Sequence, residues 1–125
     1  MMRDVLLVED SPTLRYLLTE ALEQRAIVVT TVEHGAEVVE AARKHLPSVI
    51  IMNRMLPGRD GLDVLAELRA DPATAGIPVM MLTDADSRQD VMAGIAKGAD
   101  DYVVKPFDPL DVAKRVEALS RRAHS

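Results

Sequence analysis

Residues 5–12 read Val5-Leu6-Leu7-Val8-Glu9-Asp10-Ser11-Pro12. A short apolar run ends abruptly in two acids, then a hydroxyl and a proline. The run is continuous rather than alternating, which is the pattern of a strand covered on both faces. Ser11 can cap a helix and Pro12 suits its first position. The stretch is therefore strand, turn, helix, with carboxylates at the turn.

The same grammar recurs along the chain. Further apolar runs are Ile27-Val28-Val29, Val49-Ile50-Ile51-Met52, Val79-Met80-Met81-Leu82 and Tyr102-Val103-Val104. Between them lie helical stripes. Leu14, Leu17, Leu18, Ala21 and Leu22 form the first. The spacing predicts helices over about residues 34–45, with Val38, Ala41 and Ala42 inward, and about 60–70, with Leu62, Val64, Leu65 and Leu68 inward and Asp60 as cap. It predicts a fourth over about 86–97, with Val91, Ile95 and Met92 inward and Gly98 as stop. The last covers about 109–122, with Asp108 as cap, Pro109 first, and Val112, Val116 and Leu119 inward. Strand and helix thus alternate through five units, which with right-handed crossovers is an α/β, doubly wound, five-stranded parallel sheet.

Composition narrows the chemistry. The 125 residues carry a net charge of −5, with 48% apolar and 28% charged residues. That is one ordinary globular domain, expected over residues 1–122, with 123–125 as a tail or the start of a linker. No cysteine is present, which excludes disulfides, thiolate metal sites and a cysteine nucleophile. His34, His45 and His124 are scattered, unlike a histidine metal cage. No apolar run approaches the roughly 20 residues of a membrane helix, and the N-terminus lacks the shape of a signal peptide. A cytoplasmic protein without membrane association is expected. An acidic domain with a single Phe and no Trp is poorly suited to direct nucleic-acid binding.

In open α/β sheets ligands bind beyond the carboxyl ends of the strands. There the chain places Glu9 and Asp10, then Asn53, Arg54 and Met55, then Thr83 and Asp84, then Lys105 and Pro106. Neither a glycine-rich dinucleotide turn nor a phosphate-binding loop follows the first strand. Two carboxylates there repel phosphate, which also disfavours a flavin site. They suit a hard cation such as Mg²⁺, although acids at a helix start also simply complement its dipole.

Taken together, these positions resemble the receiver domain of bacterial response regulators, of the chemotaxis-regulator type. The similarity runs from Asp4 to about Arg122 and is carried by VLLVEDSPTLR, MLPGRDGLDVL, VMMLTDA and KGADDYVVKPF. It implies the flavodoxin-like strand order 2-1-3-4-5, for which a chemotaxis receiver is a standing example. It implies that Glu9, Asp10 and the Met55 carbonyl bind Mg²⁺. It also implies that Thr83 and Lys105 engage a phosphoryl group, that Tyr102 is the aromatic switch, and that the peptide before Pro106 is cis. Such a domain is a two-component signalling module rather than an enzyme. Its phosphorylatable form would take its phosphoryl group from a histidine kinase or phosphotransfer protein and would control an output domain or partner. A face around Lys97, Asp100, Asp101, Lys114 and Arg115 resembles that of receivers that form homodimers.

One position departs from the pattern. In the family an aspartate acceptor ends the third strand, separated from a proline by two residues and one more apolar residue. Counting back from Pro57 gives Asn53. An amide cannot form an acyl phosphate, and its neutrality weakens Mg²⁺ binding. Two readings stand: a phosphoacceptor site blocked by one isosteric change, or a natural pseudo-receiver that acts by protein binding. A flavin-binding domain of similar topology is a remote third. An aspartyl phosphatase is disfavoured because no D-x-D motif follows a strand. Asp84, Arg54 and Arg59 are expected to be solvated loop residues, and Met52, Met80 and Met81 to fill the core.

Overall fold

The computed structural model describes residues 3–84 and 88–122. Its strands are β1 (Arg3–Val8), β2 (Ile27–Val32), β3 (Val49–Asn53), β4 (Met55–Leu56), β5 (Arg59–Asp60), β6 (Val79–Thr83) and β7 (Asp101–Val104). Its α-helices are α1 (Pro12–Glu23), α2 (Val38–His45), α3 (Gly61–Ala70), α4 (Arg88–Ala96) and α5 (Pro109–Arg122). Five strands pair in parallel in the order β2-β1-β3-β6-β7, which is 2-1-3-4-5 when only this sheet is counted.

The continuous apolar runs are explained by what lies on each side. Val5, Leu7, Val49, Ile51, Met80 and Leu82 meet α1 and α5 through Leu18, Leu22, Val112, Val116 and Leu119. The alternate residues Leu6, Val8, Ile50, Met52, Val79 and Met81 meet α2 and α3 through Val38, Ala42, Leu62, Val64, Leu65 and Leu68. Each strand is thus apolar on both faces because each face has its own core. The edge strands β2 and β7 are the exceptions, with Val28 of β2 exposed and Val103 alone buried in β7.

Local signals set the helix starts. Ser11 Oγ accepts from Leu14 N–H, Asp60 Oδ1 from Leu62 N–H and Asp108 Oδ1 from Leu110 N–H. Several expectations need correction. The second helical stretch opens as a 3-10 turn, Gly35–Glu37. The segment before α3 carries the small antiparallel ribbon β4–β5, which no apolar period announces. Leu17 is exposed, because Leu18 and Leu22 fill the face of α1 that meets the sheet. In α4, Met92 and Ile95 point outward at 61% and 59% exposure, because the buried position is Gly94. The start of α4 expected before Arg88 and the tail 123–125 lie outside the described residues. Two helix ends turn through left-handed backbone without glycine, at Ala26 (φ 60°) and Leu46 (φ 44°).

Candidate functional site

The ends of β1, β3, β6 and β7 form the rim of a cup of about 240 Å³, lined by Glu9, Asp10, Ser11, Asn53, Met55, Thr83, Asp84 and Lys105. Glu9 and Asn53 are buried, and Thr83 is 2% exposed. The backbone fixes this convergence. Parallel pairing sets Val8 beside Met52 and Asn53 beside Leu82. The Lys105 N–H donates to the Thr83 carbonyl at 2.7 Å, which holds the lysine next to the hydroxyl. The Lys105–Pro106 peptide is cis. Gly61 allows the loop after β3 to fold tightly over its end. A Cβ there would lie 2.6 Å from the Asn53 carbonyl oxygen, so only glycine fits.

Glu9 is the centre of the cup's electrostatics. Its Oε2 accepts from Asn53 Nδ2 at 2.6 Å and from the Ser11 N–H at 3.1 Å. Its Oε1 is buried without a hydrogen-bond partner, and Lys105 Nζ lies 3.7 Å from it. Burial pushes the Glu9 carboxyl above its ordinary value. The Ser11 N–H and the Lys105 ammonium oppose that, and Asp10 adds to it. Asn53 is therefore a donor as well as a neutral group, a role no ionised aspartate could fill beside Glu9.

The donor set fits a hard divalent cation. An orphaned buried carboxylate oxygen on Glu9, the exposed Asp10 and Met55 all line one small polar cup. Glu9 and Asp10 supply two formal negative charges, and Asp84 stands exposed at the rim. Among the described residues no cluster of three or more His, Cys, Asp or Glu could hold a metal.

Around the cup the structure changes some expectations. Arg54 is not a solvated loop residue. Its side chain is 18% exposed, pairs with Asp90 and lies 3.7 Å from Asp60. The Asp90 carboxylate, against partial burial, holds the Arg54 guanidinium above its ordinary value, with smaller help from Tyr102 and Asp60. The Tyr102 hydroxyl lies beside that guanidinium but is buried without meeting hydrogen-bond geometry. The Tyr102 ring is half-buried against α4, where a Cβ on Gly94 would fall 2.7 Å from Cε2. Arg59 pairs with Glu67 at 2.8 Å, away from the cup. His34 and His45 are exposed and line no part of it. Met52, Met80 and Met81 are core. Asp84 is exposed at the rim. In the face around β7, Asp101 pairs with Arg115 at 3.1 Å, Asp100 pairs with Arg69 at 2.9 Å, and Lys97 is exposed. Sequence reasoning missed the Arg54–Asp90 pair. The lone glycine within α4 hints at the close approach of Tyr102 but not at this ion pair.

The profile of the response regulator receiver domain matches residues 5–117. This chain belongs to the response regulator receiver family. It is 42% identical over 118 residues to the probable transcriptional regulatory protein TcrX of Mycobacterium tuberculosis, covering 94% of this chain and 50% of that protein. It is 38% identical over 122 residues to the DNA-binding response regulator MtrA of Mycolicibacterium smegmatis, covering 98% of this chain and 52% of that one. It therefore spans about half the length of these relatives. A putative response regulator from Chloroflexus aurantiacus superposes with a TM-score of 0.91 at 31% identity, covering 98% of this chain and 100% of that one. The receiver domain of a Pseudomonas aeruginosa sensor histidine kinase, with a magnesium ion in its active-site cleft, gives 0.87 at 26% identity over 97% and 99% of the two chains. The receiver is a two-component signalling module, and among the described residues no helix is long and apolar enough to cross a membrane.

Proposed function

We propose that this receiver controls a partner through the state of its surface and takes no phosphoryl group at position 53. The observation that carries the reading is the Asn53 amide seated in the acidic cup and hydrogen-bonded to Glu9. A neutral amide at the end of β3 has no carboxylate oxygen with which to attack phosphorus.

The remaining parts of a phosphoacceptor site surround it. Glu9, Asp10 and the Met55 carbonyl would hold Mg²⁺, more weakly than with a third carboxylate. The ion, when bound, would neutralise anionic oxygens in the cup. Lys105 supplies a fixed ammonium beside Glu9, and Thr83 a buried hydroxyl at the same rim. Tyr102, packed on α4, is the aromatic that would transmit a change at Thr83 to the outer surface. With aspartate at position 53 the donor would be a histidine kinase or phosphotransfer protein. With asparagine the input is a binding partner, as in a pseudo-receiver. The partner is an output domain or a separate protein in the cytoplasm, and the acidic domain itself does not bind nucleic acid.

A homodimer through Lys97, Asp100, Asp101 and Arg115 would have to exchange partners, because Asp100 and Asp101 are already paired within the chain.

The test is incubation of the protein and its Asn53→Asp variant with acetyl phosphate and Mg²⁺, followed by assay of acid-labile phosphate. The expected result is labelling of the variant alone. Labelling of the asparagine form overturns the proposal, and labelling of neither form overturns the assignment of position 53 as the acceptor position.

A further inference from the structure

Helix α4 is held in place by means unlike those of its neighbours. Its two large apolar side chains, Met92 and Ile95, face outward. Charge and polar contacts secure its ends. Past the C-terminal end, Arg69 Nε and Nη2 donate to the Gly98 carbonyl at 3.0 and 2.8 Å. Near the N-terminal end, Asp90 pairs with Arg54. Arg54 is the residue directly after Asn53, and its backbone is pinned on both sides. Its N–H donates to the Leu82 carbonyl at 2.8 Å, and its carbonyl accepts from the Gly61 N–H at 2.6 Å. The backbone of Arg54 is thus a fixed post, and α4 the part its side chain restrains.

The post also has a second carboxylate within reach. Asp60 Oδ1 lies 3.7 Å from Arg54 Nε, and that nitrogen is buried without a hydrogen-bond partner. The Tyr102 hydroxyl, buried and short of hydrogen-bond geometry, also acts on this guanidinium. Asp60 and Tyr102 already lie against Arg54, so losing Asp90 would not strand the guanidinium as an uncompensated buried charge. Loss of a partly buried partner is costly only when nothing replaces it. Of the groups around this guanidinium, Asp90 belongs to α4, so the Arg54–Asp90 contact can be lost without leaving Arg54 unpaired.

We propose that the Arg54–Asp90 ion pair is a latch that ties α4 to the end of β3 and keeps Tyr102 seated against Gly94. The latch goes beyond the receiver reading, since it requires neither a phosphoryl group nor a metal. It couples the residue next to position 53 directly to the helix, in parallel with any route through Thr83. A binding partner that draws Asp90 away would release the surface without chemistry in the cup.

The test is amide hydrogen exchange by mass spectrometry on the whole chain, without phosphodonor or Mg²⁺. The variants are Arg54→Met, Asp90→Asn, their combination, and the swap Arg54→Asp with Asp90→Arg. Each single variant is expected to speed exchange across residues 88–96 about tenfold while α3 and α5 stay within about twofold. The combination is expected to match the single variants, and the swap to recover most of the protection. Unchanged exchange in 88–96 overturns the latch. Equal acceleration in α3 and α5 also overturns it, because the pair would then only support general stability. If the swap does not fold, additive effects in the combined variant overturn it.

Discussion

Helices α3 and α4 leave the sheet beside one another, after the adjacent strands β3 and β6, yet they are secured by opposite means. α3 buries Leu62, Val64, Leu65 and Leu68 in the core. α4 presents Met92 and Ile95 to solvent and is kept by Arg54, Arg69 and the ring of Tyr102. Burying each leucine-sized side chain is worth about 1.5–3 kcal/mol, so α3 cannot shift without exposing much of the core. An ion pair can exchange partners with little net change. The chain thus sets a helix locked by core burial beside one that the proposed latch would let shift, both packed on the same core cluster.

The largest expected effect tests the permanent helix. Leu65→Ala should destabilise the domain by about 2–5 kcal/mol in urea unfolding, whereas Met92→Ala should change it by less than about 0.5 kcal/mol. Comparable losses would erase the distinction.

Gly94 sharpens it next. An alanine in mid-helix normally gains about 1 kcal/mol over glycine, but here the new Cβ would strike Tyr102. Gly94→Ala should therefore destabilise by about 1–2 kcal/mol, and become stabilising when combined with Tyr102→Ala. A double-mutant cycle in urea would show whether the ring is the obstacle.

Asn53→Asp acts on the cup itself, beside Arg54. It replaces a donor to Glu9 with a like charge, so the variant should lose about 1 kcal/mol of stability in chelator and melt at a lower temperature. Added Mg²⁺ should restore the variant more than the asparagine form. A variant that melts higher in chelator would contradict the electrostatic account.

The smallest effect lies at the far end of α3. Asp71 accepts from the Ala73 N–H and pairs with Arg43, and these contacts hold its carboxyl below the ordinary carboxylate range. Its contribution is therefore complete above that range and disappears as pH falls through the lowered folded value. The stability difference between the wild type and Asp71→Asn should narrow between about pH 6 and pH 3. A constant difference would place the effect outside ionisation.

Much of this architecture is legible in the sequence because local signals and burial agree. Ser11, Asp60 and Asp108 cap where their types suggest, and the doubly apolar strands follow from two separate cores. The cup residues are legible because each ends or closely follows a strand, and parallel pairing brings strand ends together. The hydrophobic period misplaces Met92 and Ile95 because the buried position of α4 is Gly94, which no such period can register. The Arg54–Asp90 pair joins residues distant in sequence, and neither residue type nor spacing foretells it. The β4–β5 ribbon is too short to have a period.

The left-handed turns at Ala26 and Leu46 close helices at the end of the sheet away from the cup, leading into β2 and β3. Side-chained residues tolerate that conformation poorly, so this pole of the molecule holds unclaimed robustness. Glycine at either place would be a route to a hardier scaffold that leaves the signalling rim untouched.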